Sequence, residues 1–527
     1  MYRIWSRTLW ILSAFWASGA VLSLLWPGKH LLFGRIPLTV LSAEKPFFAA
    51  LFFCLGAWLM GRLPRLEGRV DEKAELRLVW SVAAFAGSVW AAWGLVKTAF
   101  VDLGMDIGIY ATALWNTAHG RFMWEPCLQY NFFGEHFIPL SLPLAPLVGF
   151  FESAGVLIVA QAAIVPLAIP AVYLLARRLL GDARGAWFFT ILFLLSPFLH
   201  RIMGDPYRPA TMAIPLILWG LYHLESGRKA AFFAFFALTL LVQESLPMFT
   251  GVIGLYFLAF RPGLRRVGAS VLLLSIAYFA LVVGFLMPRM YGHDRLLHME
   301  MFWSLLPGNG PVEILLNFAK NPYPVFKRLF SPFTLGQVAF FTSTVFFLCW
   351  GHWRVWILFL IPMAFIQLSD FMYMRNFSRH YTTESLIAVF YASLLVWGER
   401  GAAWRARWGK AWQKRAVMVL GILVFLVAGA QFPGYYIRWN AERAREFREF
   451  AALVPADAQV CISKLEFYTT VAWRHSFSRM PEVREAPWVL LTREEETKYR
   501  SLLDDLEKRG WSRLREGKYA VLYHKNP

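Results

Sequence analysis

Charge is scarce in this 527-residue sequence: Asp, Glu, Lys and Arg make up only 17% of it, while 58% is hydrophobic. An average soluble domain is about 25% charged and about 45–50% apolar, so a water-facing globule of this size is excluded. Cysteine is scarcer still, with four residues and no CxxC pattern. That excludes a disulfide-stapled secreted domain, and with it a metal or redox role drawn from cysteine. The apolar blocks lack the period-two alternation of a porin-like barrel. Acid is outnumbered by base, 34 residues against 53, for a formal charge of +19. In a soluble protein that excess invites nucleic acid. In a multispanning chain Lys and Arg instead collect in short cytoplasmic loops, and no nucleic-acid partner is expected.

What is present is apolar bulk: 47 Phe and 24 Trp, and a mean hydropathy of +0.46. Blocks of about 15–22 apolar residues recur, each long enough to approach or cross roughly 30 Å of hydrocarbon as a helix. Candidate spans cover about 9–26, 46–60, 79–96, 155–176, 185–200, 210–224, 229–245, 247–260, 268–287, 335–350, 354–369, 384–398 and 416–432. The expected class is therefore an all-α polytopic membrane protein with about thirteen spans. Basic clusters at Arg62–Arg77, Arg177–Arg184, Arg228–Lys229, Arg261–Arg266 and Arg400–Arg415 fall in alternate loops, which places the N-terminus in the cytoplasm. The other loops, about 97–154, 201–210, 288–334 and 370–383, then face outward from a cytoplasmic (inner) membrane. The segment 137–151, with Pro139, Pro143 and Pro146, reads as interfacial or re-entrant. After Pro433 the pattern changes to amphipathic helix, short strands and a hairpin turning at Glu516 and Gly517. The division expected is a transmembrane domain over 1–432 and a small extracytoplasmic α/β domain over 433–527.

Candidate chemistry gathers in the outward loops. Asp102 and Asp106 stand four residues apart in VDLGMDIGIYATALWNTAHGRF, on one face if helical; they also suit a helix cap. Glu135 and His136 are adjacent, as a ligand pair or a local hydrogen bond. Glu244 lies late in an apolar run, where an unpaired charge is costly, so it faces a cavity or pairs with an arginine. Asp205, Arg208, Arg375, Arg379, His380 and Tyr381 occupy two short loops on the same side as Asp106. His293, His298 and Glu300 fit no metal pattern, and the tract Trp404–Arg415 reads as an anchor touching anionic lipid.

The run from Asp106 through Gly108, Tyr110, Trp115, Asn116 and Gly120 resembles the start of a large bacterial and archaeal family of multispanning membrane proteins of unknown function. That family is regarded as a distant relative of the GT-C membrane glycosyltransferases. The resemblance continues through NFFGEHFIPL, DPYRPATMAIPL, LLVQESLPM and SRHYTTESL, with Pro206 and Arg208 standing where the family has aspartate and histidine. It implies a GT-C-like fold and transfer of a sugar from a polyprenyl-phosphate carrier, within the lipid, to a glycan, lipid or protein acceptor. Asp106, less strongly Asp102, is then the base. Glu135, His136, Asp205, Arg208, Glu244, Arg375, Arg379, His380 and Tyr381 are substrate-binding candidates. No cofactor is firmly implied and a divalent cation is left open. The competing readings are a secondary transporter or lipid flippase, or a membrane scaffold without enzymatic activity.

Overall fold

The computed structural model describes residues 30–33, 36–39, 72–100, 103, 105–291, 304–308, 311–377, 379–408, 441–463, 468–483 and 486–526. The expected spans at 9–26, 46–60 and 416–432, together with Asp102, His293, His298 and Glu300, lie outside the described residues. The chain is mostly helical. Among the described residues four helices are long and apolar enough to cross a membrane: Glu72–Ala99, Gly155–Leu180, Pro262–Tyr291 and Arg379–Ala403. The first, α1 (Glu72–Ala99), opens on Glu72 and Glu75 and closes on Lys97, each charge at the helix pole that favours it. It is followed by α2 (Met105–Ala118) and α3 (Gly155–Leu180).

A fifth crossing forms if α4 (Ala183–Leu194) and α5 (Pro197–Gly204), bent by 46°, count as one. The cause of the bend is local: a residue before proline avoids the helical region, and Ser196 is extended at φ −63°, ψ 120°. Of the other expected spans, α6 (Ala213–Glu225), α7 (Lys229–Leu240) and α8 (Leu246–Phe260) appear as shorter helices, α9 (Arg265–Leu281) is part of the Pro262–Tyr291 crossing, and α10 (Pro332–Ser343) and α11 (Trp356–Leu368) are again shorter. Helix α12 (Thr383–Trp408) continues the Arg379 turn. The expected span 335–350 is interrupted. Ser343 and Thr344 hydroxyls donate to carbonyls three residues back, at 2.6 and 2.7 Å, competing with the helical ladder, and Phe346 and Phe347 take positive φ. Pro139–Phe151 is a short apolar helix, 3-10 as far as Leu144, about 20 Å long and well short of a crossing.

Two small hairpins, β1 (His30–Phe33) with β2 (Ile36–Thr39) and β3 (Trp124–Glu125) with β4 (Tyr130–Asn131), precede a five-stranded sheet. Its strands are β5 (Val460–Ile462), β6 (Phe477–Arg479), β7 (Trp488–Thr492), β8 (Trp511–Glu516) and β9 (Ala520–Lys525), in the order β6-β5-β7-β9-β8. Strand β5 runs parallel to β6 and β7, and the rest pair antiparallel. Alternation along β7 divides two cores: Val489 and Leu491 pack with Leu503, Leu506 and Trp511, while Leu490 faces the cluster continuous with the helices. The sheet region docks on α2, where the His475 ring nitrogen meets Asn116 Oδ1 at 3.1 Å.

The α8–α9 pair shows what the bundle demands of its residues. A Cβ added at Gly254 would lie 2.7 Å from the Leu272 nitrogen, and one at Gly268 2.5 Å from the Leu258 nitrogen. Thr250 and Ser275 hydroxyls bond across the same contact at 2.8 Å, so small residues and hydroxyls join helices where water is not expelled. Gly268→Val is therefore expected to lower the stability of detergent-solubilised protein by about 1–3 kcal/mol in thermal unfolding. Gly336→Ala, which meets nothing within 4 Å, leaves it unchanged or slightly raised.

Candidate functional site

The turn between α5 and α6 carries Asp205, Pro206, Tyr207 and Arg208. Gln161, buried on α3, clamps it at both ends. The Gln161 amide nitrogen donates to the Asp205 carbonyl at 3.2 Å, and its oxygen accepts the Arg208 N–H at 2.7 Å and the Thr211 hydroxyl at 3.2 Å. Lys97 donates to the Gly204 carbonyl at 3.2 Å, at the end of α5. Backbone groups in a buried turn must find partners, and here side chains from α1 and α3 supply them.

That turn holds Arg208 between two aspartates. One terminal nitrogen donates to Asp106, in the first turn of α2, and Arg208 Nε lies 3.3 Å from Asp205 Oδ2. His380 donates from Nδ1 to the same Asp205 oxygen at 2.9 Å. The two carboxylates differ in exposure, with the Asp205 side chain 6% accessible and that of Asp106 39%. Burial would raise the Asp205 carboxyl, but the Arg208 charge and the His380 bond outweigh it and hold it down at about 2. The Tyr381 ring packs against His380, tilted by 37°, with centroids 4.1 Å apart. Arg379 turns its guanidinium over Tyr373 while its charge still reaches Asp205.

A second pair lies alongside. His136 meets Glu244 at 3.0 Å, and the Phe137 N–H donates to the other Glu244 oxygen at 2.9 Å. Burial disfavours the His136 imidazolium, yet the Glu244 carboxylate outweighs it and raises its pKa. Tyr110, one turn beyond Asp106, links the two pairs: its ring packs against His136 and Tyr207, and its hydroxyl faces Arg208.

Of the residues singled out from sequence, Asp106, His136, Asp205, Arg208, Glu244, His380 and Tyr381 thus come together, with Arg379 at their edge. Glu135 instead accepts a bond from Tyr130. Arg375 lies apart, its guanidinium 4.8 Å over the Phe333 ring in the company of Arg328 and Asp370. Sequence alone assigns no role to Gln161, and Tyr110 stands in it only as a member of the family-like run. The signals were there, a lone amide in the apolar run 155–176 and a tyrosine at i+4 from Asp106. Among the described residues no group of three or more His, Cys, Asp or Glu is placed to hold a metal ion.

Fold and site define a multispanning helical membrane protein with a buried ion cluster assembled from distant loops. The chain belongs to the DUF2079 family of predicted membrane proteins, whose profile matches residues 95–521. No curated protein matches the sequence. Among solved structures, ArnT from Cupriavidus metallidurans bound to undecaprenyl phosphate is similar at a TM-score of 0.46 and 15% identity, over 83% of this chain and 97% of that one.

The two aspartates are separable by experiment. Asp205→Ala leaves the buried Arg208 and His380 short of a partner, and is expected to cost about 3 kcal/mol or more in thermal unfolding. Asp106→Ala, at a half-exposed position, is expected to cost about 1 kcal/mol or less.

Proposed function

We propose that the protein is a membrane glycosyltransferase that moves a sugar from a polyprenyl-phosphate carrier to an acceptor hydroxyl on a glycan, lipid or protein. The observation that carries this reading is the asymmetric cluster: a buried arginine held by one inaccessible aspartate and one accessible aspartate. A phosphate arriving at Arg208 competes with Asp106 for the outer guanidinium nitrogens, since an arginine fork accepts phosphate and carboxylate alike. Displaced from Arg208, Asp106 is free to take the proton of the acceptor hydroxyl. The bond from acceptor oxygen to the anomeric carbon forms and the bond from that carbon to the carrier phosphate breaks. The electron pair leaves with the phosphate, whose added charge Arg208 meets. Asp205 and His380 keep Arg208 in place throughout. His136 and Glu244 line the neighbouring side, suited to sugar hydroxyls.

The same reading sets the cluster on the extracytoplasmic side of the inner membrane, with the N-terminus cytoplasmic and residues 433–527 an extracytoplasmic α/β domain. Support comes from the basic loops: Arg178 and Arg261 both meet Glu225, at the end of α6 remote from Arg208, as the positive-inside rule requires.

With purified protein and a radiolabelled polyprenyl-phosphate sugar, Asp106→Asn is expected to lower transfer at least about 100-fold with unfolding unchanged. Transfer at the wild-type rate by that variant removes the assignment of the base. A tag fused after Pro527 is expected to react with membrane-impermeant reagents on intact spheroplasts, and protection there reverses the topology.

A further inference from the structure

The end of the bundle remote from Asp106 holds a second polar feature, an open cavity of about 340 Å³ lined by Arg178, Glu225, Ser226, Gly227, Arg261 and Gly263 among others. It lies where α3 and α6 end and where the chain turns from α8 into α9. Its one acid is already neutralised: Glu225, 9% exposed at its side chain, accepts from Arg261 at 3.0 Å and from the Tyr391 hydroxyl at 2.8 Å. A carboxylate so occupied does not repel an anion.

Arg178 is exposed, and its Nε donates to the Glu225 carbonyl at 2.9 Å. That bond fixes the guanidinium at the cavity mouth. Among the described residues its two terminal nitrogens meet no acceptor, leaving one edge of the fork for a ligand. Two of the lining positions are glycines, Gly227 and Gly263. A Cβ added at Gly227 or Gly263 would touch nothing within 4 Å. Gly227 needs glycine for its φ of +79°, but Gly263 has no such backbone requirement, so there the absent side chain leaves room and nothing else.

We propose that this cavity binds a phosphate group, that of an anionic lipid headgroup, with the Arg178 fork as the principal contact and Arg261 behind it. A fork of parallel N–H donors matches phosphate oxygens in a way that a lysine does not. A basic pocket between the ends of helices that cross a bilayer lies at headgroup depth. The site is independent of sugar transfer, because none of its residues belongs to the Asp106 cluster.

The test uses the full chain in neutral detergent, titrated with dioctanoyl phosphatidic acid, dioctanoyl phosphatidylcholine or inorganic phosphate, with Tm as the readout. Phosphatidic acid is expected to raise Tm saturably where phosphatidylcholine does not. The midpoint concentration is expected to rise about tenfold or more in Arg178→Gln, and likewise in Gly263→Glu, which fills the cavity with bulk and negative charge. Arg178→Lys restores part of the response. If inorganic phosphate gives the same saturable, Arg178-dependent response, the phosphate site stands and its source is soluble. If phosphatidic acid leaves the wild type unmoved, or moves the wild type and both variants alike, the proposal is overturned.

Discussion

A guanidinium cannot be left alone in a low-dielectric interior. Removing one ion from water costs several kcal/mol even after relaxation, and only close partners offset it. Arg208 is 9% exposed at its side chain, and its partners come from three separate stretches of chain: Asp106 at the start of α2, Asp205 in its own turn and, through Asp205, His380 before α12. The requirement to pair this one charge therefore dictates that the start of α2, the α5–α6 turn and the turn into α12 meet. The bend at Pro197, local in origin, and the Gln161 clamp both serve that pairing. One aims α5 so that Asp205 emerges at the cluster, and the other satisfies the backbone that carries it there.

Within the cluster the two aspartates have different physical standing. Asp205 is inaccessible, shares one oxygen between arginine and histidine, and is held ionised well below the ordinary carboxylate range. A group so committed positions others and does not exchange protons readily. Asp106 has one ionic contact and a water-facing remainder, so a competing anion can take its place on Arg208 at modest cost. Tyr110 and Tyr207 close the apolar side, with ring centroids 5.6 Å apart. They keep the dielectric low enough for the exchange to matter.

Much of this was legible in the sequence because a charge inside an apolar chain is conspicuous for an energetic reason. Glu244 stood out as an expensive charge in an apolar run, and Asp106, Asp205, Arg208 and His380 as polar residues of the outward loops and family-like motifs, and each has a partner. Arg375 stood out equally and is elsewhere. What separates it from Arg379 and His380 is the direction of a short turn, with Phe377 and Arg379 at positive φ, and no local pattern announces such angles at a phenylalanine and an arginine. The interrupted span at 335–350 is the same kind of case: its composition is largely apolar, and the hydroxyls of Ser343 and Thr344 decide where the helix stops. Gln161 was visible but uninterpreted, since its purpose is set by backbone groups more than forty positions away.

The arrangement also decides where freedom can reside. Helices α6 and α12 share two polar contacts: Arg208 and His380 meet through Asp205 ahead of their first turns, and Glu225, at the end of α6, meets Tyr391, in the first half of α12, roughly 20 Å away. Both contacts involve a buried carboxylate, so sliding one helix along the other would strip partners from two acids at once. That pair is a fixed frame. Asp106 belongs to α2, which joins the frame through the Arg208 ion pair and the packing of Tyr110 on Tyr207 and, at its far end, meets the sheet region through Asn116 and His475. Helix α2 therefore links the Arg208 cluster at its first turn to the sheet region at its last, across about 20 Å.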